Sequence, residues 1–275
     1  MSFLLIFIGT LSAEISNSIG KHAVAHKKQT LYSMGFLTMF WSVILFSSIV
    51  LLGADFTIST DSFHLFIPRV ILEIILAHVT IKSIIVADRT TVSFVRMISI
   101  PLLLMVDLII GYDLLLRNIW GIVLLLAALF VLLWRNPSGQ KGLSIVLLGS
   151  VLAVVTTSLF KYNITFHNSV AAEQLIISIA LLLYFFSFST FKLKEKPWHL
   201  LTQRTAQIQS LTHGIAALLM SFAYLFAPAS IIISLKRSLT VFWATASGRL
   251  VFHEKNIIRK IVALAIGIIG IALLL

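Results

Sequence analysis

Residues 3–20 read FLLIFIGTLSAEISNSIG, and residues 143–160, which lie 140 positions later, read LSIVLLGSVLAVVTTSLF. Each stretch is about as long as a helix that crosses a bilayer, which takes about 20 mostly apolar residues. The two also share a polar landmark, because Gly9-Thr10 aligns with Gly149-Ser150. Because polar residues coincide as well as apolar ones, the match indicates an internal repeat of the chain and not only two segments of similar composition.

The whole chain is unusually apolar. Of its 275 residues, 59% are hydrophobic and only 11% are charged, about half the charged share of an ordinary soluble domain. No stretch between the apolar runs is long enough for a separate soluble domain, which needs at least about 50 residues. The composition predicts an all-α, polytopic membrane protein.

Apolar runs separated by Pro, Gly, Asn and charged residues predict ten transmembrane helices. The third and eighth are the least apolar, because residues such as Glu73 and Gln207 interrupt them, so a nine-helix arrangement stays open. The first run continues past Glu14 without a cleavage pattern and is predicted to be a helix, not a removable signal. The ten helices are expected at residues 3–20, 31–52, 68–87, 90–111, 117–134, 142–160, 170–191, 205–226, 228–250 and 257–275.

The net charge of +11 comes from 21 Lys and Arg residues against 10 Asp and Glu residues. These cations are spread over short loops, and no long hydrophilic segment could follow a phosphate backbone, so nucleic acid is not an expected partner. Fifteen of them fall in alternate loops and three in the opposite loops. The positive-inside rule then predicts that both termini face away from the cytoplasm. The absence of cysteine excludes disulfides and thiolate chemistry.

The repeat divides the chain into residues 1–136 and 137–275, with five predicted helices in each half. With a shift of 141, Arg96 aligns with Arg237 and Ser99 with Thr240. Because five is odd, the second half would cross the bilayer in the opposite sense. Two inverted five-helix repeats are the plan of secondary transporters, whose substrate sites lie near the bilayer midplane between the repeats.

Two segments resemble the ends of EamA-type halves in the drug/metabolite transporter superfamily. They are Leu108-Ile109-Ile110-Gly111-Tyr112-Asp113, before the fifth helix, and Gly248 to Glu254, before the last. The resemblance covers nearly the whole chain and implies a ten-helix transporter. Members of this family usually have cytoplasmic termini, the reverse of what the loop charges predict, so the orientation stays open.

Two shorter resemblances imply opposite substrate charges. Gly9 to Glu14, with Lys21 at the helix end, is similar to the first helix of the small multidrug resistance branch, which implies a glutamate that binds a proton and a cationic drug in turn. Lys236-Arg237 is similar to the pair with which sugar-phosphate translocators hold phosphate, and Lys161 resembles another lysine of that anion site.

The positions of the charged residues point to a central site. Glu14 falls near the middle of the first helix, where a carboxylate costs about 2.5 to 3.5 kcal/mol and must be paired or protonated; it is the candidate for proton coupling. Lys236 and Arg237 fall near the middle of the ninth helix, and both are candidate substrate ligands. Since neighbours point about 100° apart, one of them is expected to face the cavity unless their long side chains converge. Arg96 is a further candidate ligand, with snorkelling to the interface as its alternative.

Three more residues are candidates for substrate binding. His78 and Lys82 are four residues apart and share a helical face, so they could line a polar path on the third helix or merely a solvated wall. Lys161 could bind substrate or anchor its helix at the membrane interface.

These residues lead to an expectation of function. The chain is expected to be a secondary transporter that moves a small organic anion or zwitterionic metabolite by alternating access, because three cations in the membrane outnumber one central carboxylate. The alternative is proton-coupled efflux of cationic drugs or metabolites through Glu14. No cluster of acid, base or metal ligands and no nucleotide-binding glycine loop is present, so neither an enzyme, a cofactor nor a metal is expected.

The expected partners are the lipid bilayer and a small-molecule substrate. The expected location is the cell (inner) membrane, as a multi-pass protein, and either a monomer or a homodimer is compatible with the sequence.

Overall fold

The computed structural model describes residues 2–103, 116–133, 142–226, 229–251 and 257–274. These residues are almost entirely helical, and no strand occurs among them. The all-α class predicted from the sequence is therefore confirmed for the described part of the chain. The junction between the two predicted halves at 136/137, together with Asp113 and Glu254, lies outside these residues.

Ten main helices occur in the described ranges. They are α1 (Ser2–Ala25), α2 (Leu31–Leu51), α3 (Phe63–Val86), α4 (Arg89–Val95, continued by a 3₁₀ turn at Arg96–Ile98), α5 (Leu116–Leu133), α6 (Leu143–Phe166), α7 (Val170–Ser187), α8 (Arg204–Ala223), α9 (Ala229–Leu250) and α10 (Ile257–Leu274).

Two helix boundaries predicted from the sequence are wrong. The first helix does not end at Gly20 but continues to Ala25. Gly20 is a packing residue, because a Cβ there would lie 2.6 Å from Cε of Met34 and 2.9 Å from Nε2 of Gln209.

The third helix begins at Phe63 and contains Pro68, which the sequence analysis took as its start. Pro68 is the sixth residue of the helix, so it removes one backbone hydrogen bond and its ring crowds the carbonyl of His64, yet the helix continues through it.

The fourth helix is interrupted at Arg96. After Val95 the chain tightens into a 3₁₀ turn at Arg96–Ile98 and then becomes α-helical again up to residue 103. Pro101 follows this turn; it donates no backbone hydrogen bond and its ring crowds the carbonyl of residue 97. Short 3₁₀ segments inside a helix often mark functional positions, and this one carries Arg96.

Within the described parts of the chain, four helices are long and apolar enough to cross a membrane. They span Phe3–Ala25, Leu31–Leu51, Leu143–Phe166 and Val170–Lys192, the last including a π-helical turn after α7. The chain is therefore a membrane-embedded protein.

The exposed and buried residues of α3 show which side of this helix faces away from the protein interior. Its outer face exposes Phe63, Ile67, Ile71 and Ile75, which recur every four residues, whereas Arg69 on its inner side is only 2% exposed. Apolar residues outside and a charge inside suit a helix surrounded by lipid, since a charged group in hydrocarbon must face the protein interior.

The helices pack in a regular pattern of neighbours. Helix α1 packs on α8 and α9, and α6 packs on α3 and α4. Helices α2 and α7, α4 and α9, and α5 and α10 form three further packed pairs. Glycines permit close approach in these contacts: at Gly214 on α8, an added Cβ would lie 2.9 Å from the backbone carbon of Trp41 on α2. The pattern leaves a cavity in the middle of the packed helices.

Candidate functional site

A cavity of about 340 Å³ lies between the helices, and α1 to α4 and α6 to α9 all contribute to its wall. Ligand pockets usually measure about 300 to 1,000 Å³, so this one is of a size for a small molecule. Its polar lining residues are Asn17, Thr38, Glu73, Thr80, Arg96, Ser99, Thr156, Thr157, His213, Tyr224, Lys236 and Arg237.

Three of the predicted site residues meet in this cavity, namely Arg96, Lys236 and Arg237. Arg237 is 9% exposed, and its Nε donates a hydrogen bond of 3.0 Å to Oγ of Ser99. Ser99 in turn donates to the carbonyl of Arg96 at 2.7 Å. This chain of hydrogen bonds joins α9 to the interrupted helix α4 and holds the two arginine positions against each other.

Adjacent residues Lys236 and Arg237 both line the cavity. Their Cβ atoms diverge by about 100°, so the sequence analysis expected both at one point only if their long side chains converge. The long, flexible side chains remove the conflict, because each can bend toward the same space. The cavity thus holds an arginine fork and a mobile lysine point charge side by side.

The cavity carboxylate is Glu73 on α3, where the sequence analysis expected Glu14. Among the described residues, Glu73 is the one Asp or Glu side chain in the lining. Its Oε1 lies 3.6 Å from a guanidinium nitrogen of Arg69, one turn earlier on the same helix, and its side chain is 20% exposed. The sequence showed Glu73 only as an interruption of an apolar run, which did not reveal which way it points.

Glu14 lies in a different pocket. It is 5% exposed and accepts hydrogen bonds from Ser18 at 3.1 Å and from Ser247 on α9 at 2.5 Å. The pocket measures about 650 Å³ and is mostly apolar. It is lined by α1, including His22, and by α9, with His26 and Lys28 from the connection after α1 and Thr205 at the start of α8. The structure therefore separates Glu14 from the cavity of Lys236 and Arg237.

His78 and Lys82 are placed outside the cavity lining. Nδ1 of His78 lies 3.0 Å from the hydroxyl of Tyr184 on α7, and its ring is 5.7 Å from that of Tyr32. Lys82 is exposed. His78 therefore takes part in the packing of α3 against α2 and α7, whereas Lys82 lies on the exposed surface of α3.

Lys161 holds the end of a helix. Its Nζ donates a 3.0 Å hydrogen bond to the carbonyl of Tyr224, the residue that follows α8. Lys21 makes the corresponding contact in the first half of the chain, where its Nζ donates to the carbonyl of Ala87 directly after α3. A lysine that binds the terminal carbonyls of a helix also complements the negative end of the helix dipole.

A buried ion cluster beside the cavity was missed by the sequence analysis. Arg69 donates a short hydrogen bond to Oε1 of Glu173 on α7, which is fully buried, and its guanidinium lies 4.6 Å above the ring of Phe160 on α6. The side chain of Asn163 donates to the same Glu173 oxygen at 2.9 Å. Neither residue drew attention in the sequence. Arg69 follows Pro68, the predicted start of the third helix, and Glu173 follows Ser169 at a helix start, where an acidic residue is common. The sequence signal for the cluster was the charge of Glu173 in an otherwise apolar run.

The cavity as a whole is suited to bind an anion. Three cations and one carboxylate face it, and Thr, Ser, Asn and His side chains supply further hydrogen-bond partners. Arginine offers a bidentate fork to carboxylate or phosphate, and lysine adds a point charge. Within the described residues, no group of three or more His, Cys, Asp or Glu side chains is arranged to hold a metal ion.

Comparison with known proteins adds no further assignment: no protein-family model matches the sequence, and a search of curated proteins finds no significant match. The fold and the cavity together define a membrane-embedded, all-helical protein with an internal cationic cavity.

The ion cluster generates a test of stability. In Glu173→Gln, Arg69 loses its directly bonded carboxylate while it remains buried, and removing one partner of a buried pair costs about 3 to 5 kcal/mol. The thermal unfolding midpoint of the purified protein in detergent should fall clearly. The double variant Arg69→Met/Glu173→Leu removes both charges and should unfold at a higher temperature than Glu173→Gln. A single variant as stable as the wild type would contradict the role assigned to the cluster.

Proposed function

We propose that this protein is a secondary carrier that moves a small organic anion or zwitterionic metabolite across a membrane by alternating access. The single observation that carries the proposal is the meeting of Arg96, Lys236 and Arg237 in one cavity between the helices. Ionisable residues inside membrane proteins are costly and usually mark substrate or ion pathways. Binding and movement, without covalent chemistry, are the proposed activity, so the protein is not an enzyme in this proposal.

The proposal includes ten membrane spans. Beyond the four strongly apolar helices, α3 supports this count, because its exposed face is an apolar stripe although Glu73 and Arg69 lower its overall hydropathy. Helices α8 and α9 are likewise less apolar, and they carry His213, Lys236 and Arg237 toward the cavity. Polar residues that line an internal cavity lower the apolar content of a spanning helix without exposing charge to lipid.

Two inverted five-helix repeats are also part of the proposal, and the pattern of helix neighbours supports them. Suppose that α1 to α5 correspond, in order, to α6 to α10. Exchanging the two halves then maps each of three pairs onto itself: α2 with α7, α4 with α9, and α5 with α10. The same exchange turns the contact of α1 with α8 into that of α6 with α3, and the contact of α1 with α9 into that of α6 with α4. All of these contacts occur. The cavity wall follows the same rule, since it draws on α1 to α4 and on α6 to α9.

Individual contacts support the repeat at residue level. An added Cβ at Gly9 on α1 would lie 3.0 Å from Cγ of Met220 on α8, and one at Gly149 on α6 would lie 3.3 Å from Cγ1 of Val79 on α3. Gly149 and Met220 stand 140 and 141 positions after Gly9 and Val79. The lysine contacts described above, one to the end of α3 and one to the end of α8, form a second corresponding pair.

The resemblance to EamA-type drug/metabolite transporters agrees with this architecture and is proposed with it. The proposed location is the cell (inner) membrane, with multiple passes, and the lipid bilayer and the substrate are the proposed partners.

Cysteine labelling tests the number of crossings, since the chain has no native cysteine. Lys28 and Lys194 are exposed in connections separated by six proposed spans, α2 to α7, whereas Thr60 is separated from Lys28 by α2 alone. In Lys28→Cys and Lys194→Cys, a membrane-impermeant maleimide should label from the same side in intact vesicles, and in Thr60→Cys from the other side. Labelling of the two lysine positions from opposite sides would require an odd number of crossings between them.

Anion binding tests the site. Hydrogen bonds to charged groups contribute about 1.5 to 3 kcal/mol, so Arg237→Ala should weaken binding of a stabilising anion at least about 10-fold. The measurement is the thermal shift of purified protein with inorganic phosphate, succinate and metabolite pools. Arg249→Ala, which changes an exposed arginine on the same helix, is the matched control and should bind as the wild type does. Equal loss in both variants, or no stabilisation by any anion, would contradict the proposal.

A second candidate function is efflux of cationic drugs or metabolites through Glu14. The observation that favours it is the large apolar pocket around this buried carboxylate, with Ser18 and Ser247 bonded to its oxygen. An apolar wall and one carboxylate are the features that a lipophilic cation requires.

Charge reversal separates the two candidates. If the carrier moves anions, Lys236→Glu/Arg237→Glu should abolish anion uptake into proteoliposomes because the cavity then repels the substrate, while resistance of expressing cells to hydrophobic cations should stay unchanged. If the carrier exports cations, Glu14→Gln should remove that resistance while anion uptake is absent in the wild type as well.

A further inference from the structure

Glu73 occupies an unusual position between two sets of cations. It lies on the wall of the central cavity, which it shares with Lys236 and Arg237, and on its other side stands Arg69. Its side chain is 20% exposed, in contrast to the fully buried Glu173. A carboxylate with this exposure, beside cavity cations, can be reached by water and by a ligand.

Arg69 holds Glu73 only loosely. One guanidinium nitrogen of Arg69 is bonded directly to Glu173, whereas the other lies 3.6 Å from Oε1 of Glu73. The usual range for an N–H···O hydrogen bond ends at about 3.2 Å. The amide of Asn163 bonds to Glu173 as well. Arg69 is therefore bonded mainly to Glu173, and Glu73, which also bonds to Thr156 on the cavity wall, can interact with other groups in the cavity.

The surroundings of Glu73 are mostly cationic. Helix α3 itself contributes Arg69, α4 contributes Arg96, and α9 contributes Lys236 and Arg237. The acidic neighbour is Glu173 on α7, and His213 and Tyr224, in and directly after α8, are titratable groups of the lining. From α1, α2 and α6, the described lining residues are uncharged, with Asn17, Thr38, Thr156 and Thr157 as the polar ones.

We propose, building on the anion carrier proposed above, that Glu73 couples anion binding to proton binding. In the empty cavity its carboxylate is a counter-ion for Lys236 and Arg237. A substrate anion replaces it there, and two negative groups then share a small space of low dielectric constant, where like charges repel strongly. Glu73 takes up one proton from water to form its neutral acid, and it returns this proton when the anion leaves. Anion and proton therefore cross the membrane together.

This inference assigns to Glu73 the role that the sequence analysis gave to Glu14. The reason is position: the side chain of Glu14 is bonded to Ser18 and Ser247 and lines another pocket. A carboxylate must share the cavity with the substrate in order to respond to its binding, and Glu73 lines the cavity that also holds Lys236 and Arg237.

The experiment counts the protons that accompany binding. Succinate and inorganic phosphate are titrated calorimetrically into the purified full-length protein at neutral pH, in two buffers that differ in ionisation enthalpy. The wild type should take up about one proton per anion bound. Glu73→Gln should bind the anion several-fold more tightly, because a repelling charge is gone, and should take up almost no proton. Glu73→Asp keeps a carboxylate and should keep the proton uptake, which separates coupling from any change in folding.

Asp61→Asn makes the same carboxylate-to-amide change at an exposed position and is the matched control, with proton uptake as in the wild type. Proton uptake that persists in Glu73→Gln, or that disappears in Glu14→Gln, would overturn the inference while leaving anion binding established. Absence of binding of both anions by the wild type would instead overturn the proposed function, and the coupling with it.

Discussion

The structure depends on one constraint: a charge on a helix surrounded by hydrocarbon must turn inward and find a partner there. Arg69 and Glu173 meet this constraint together. Both are buried, they bond directly to each other, and an amide and an aromatic ring lie beside them. Through these contacts α3, α6 and α7 are fixed relative to one another, and the apolar faces of the helices are left to point outward.

The same constraint applies to the cations that line the cavity, since they too need partners within the protein. Arg237 donates to the hydroxyl of Ser99, which in turn donates to the backbone carbonyl of Arg96, so a neutral group orients the guanidinium of Arg237. Neutral hydrogen-bond partners orient a guanidinium without cancelling its charge. The cavity therefore retains positive potential that a ligand can use, whereas the Arg69 cluster is largely neutralised internally.

Much of the helical framework was predictable from the sequence, because apolar runs and their interruptions set helix positions directly. Every predicted helix overlaps an observed one, and Arg96, Lys236 and Arg237 were correctly singled out as charges within helices. The partners of the charges were harder to predict. Whether Glu14 or Glu73 faces the cationic cavity depends on how α1 and α3 are rotated about their own axes, and this rotation follows from packing, for example the close approach at Gly20. Likewise, Arg69 and Glu173 are 104 residues apart, and no local pattern connects them.

The lysines at the helix ends have a consequence for motion. Lys21 joins α1 to the end of α3, and Lys161 joins α6 to the end of α8; in each case both helices belong to the same proposed half. Because the proposed halves would run in opposite directions, these two lysine contacts would lie at opposite faces of the membrane. In the proposed carrier, a rocking of one half against the other would leave both lysine contacts intact, so each half would tilt as a stiff body. The deformation would then fall in the interfaces between the halves, such as those of α1 with α8 and of α3 with α6.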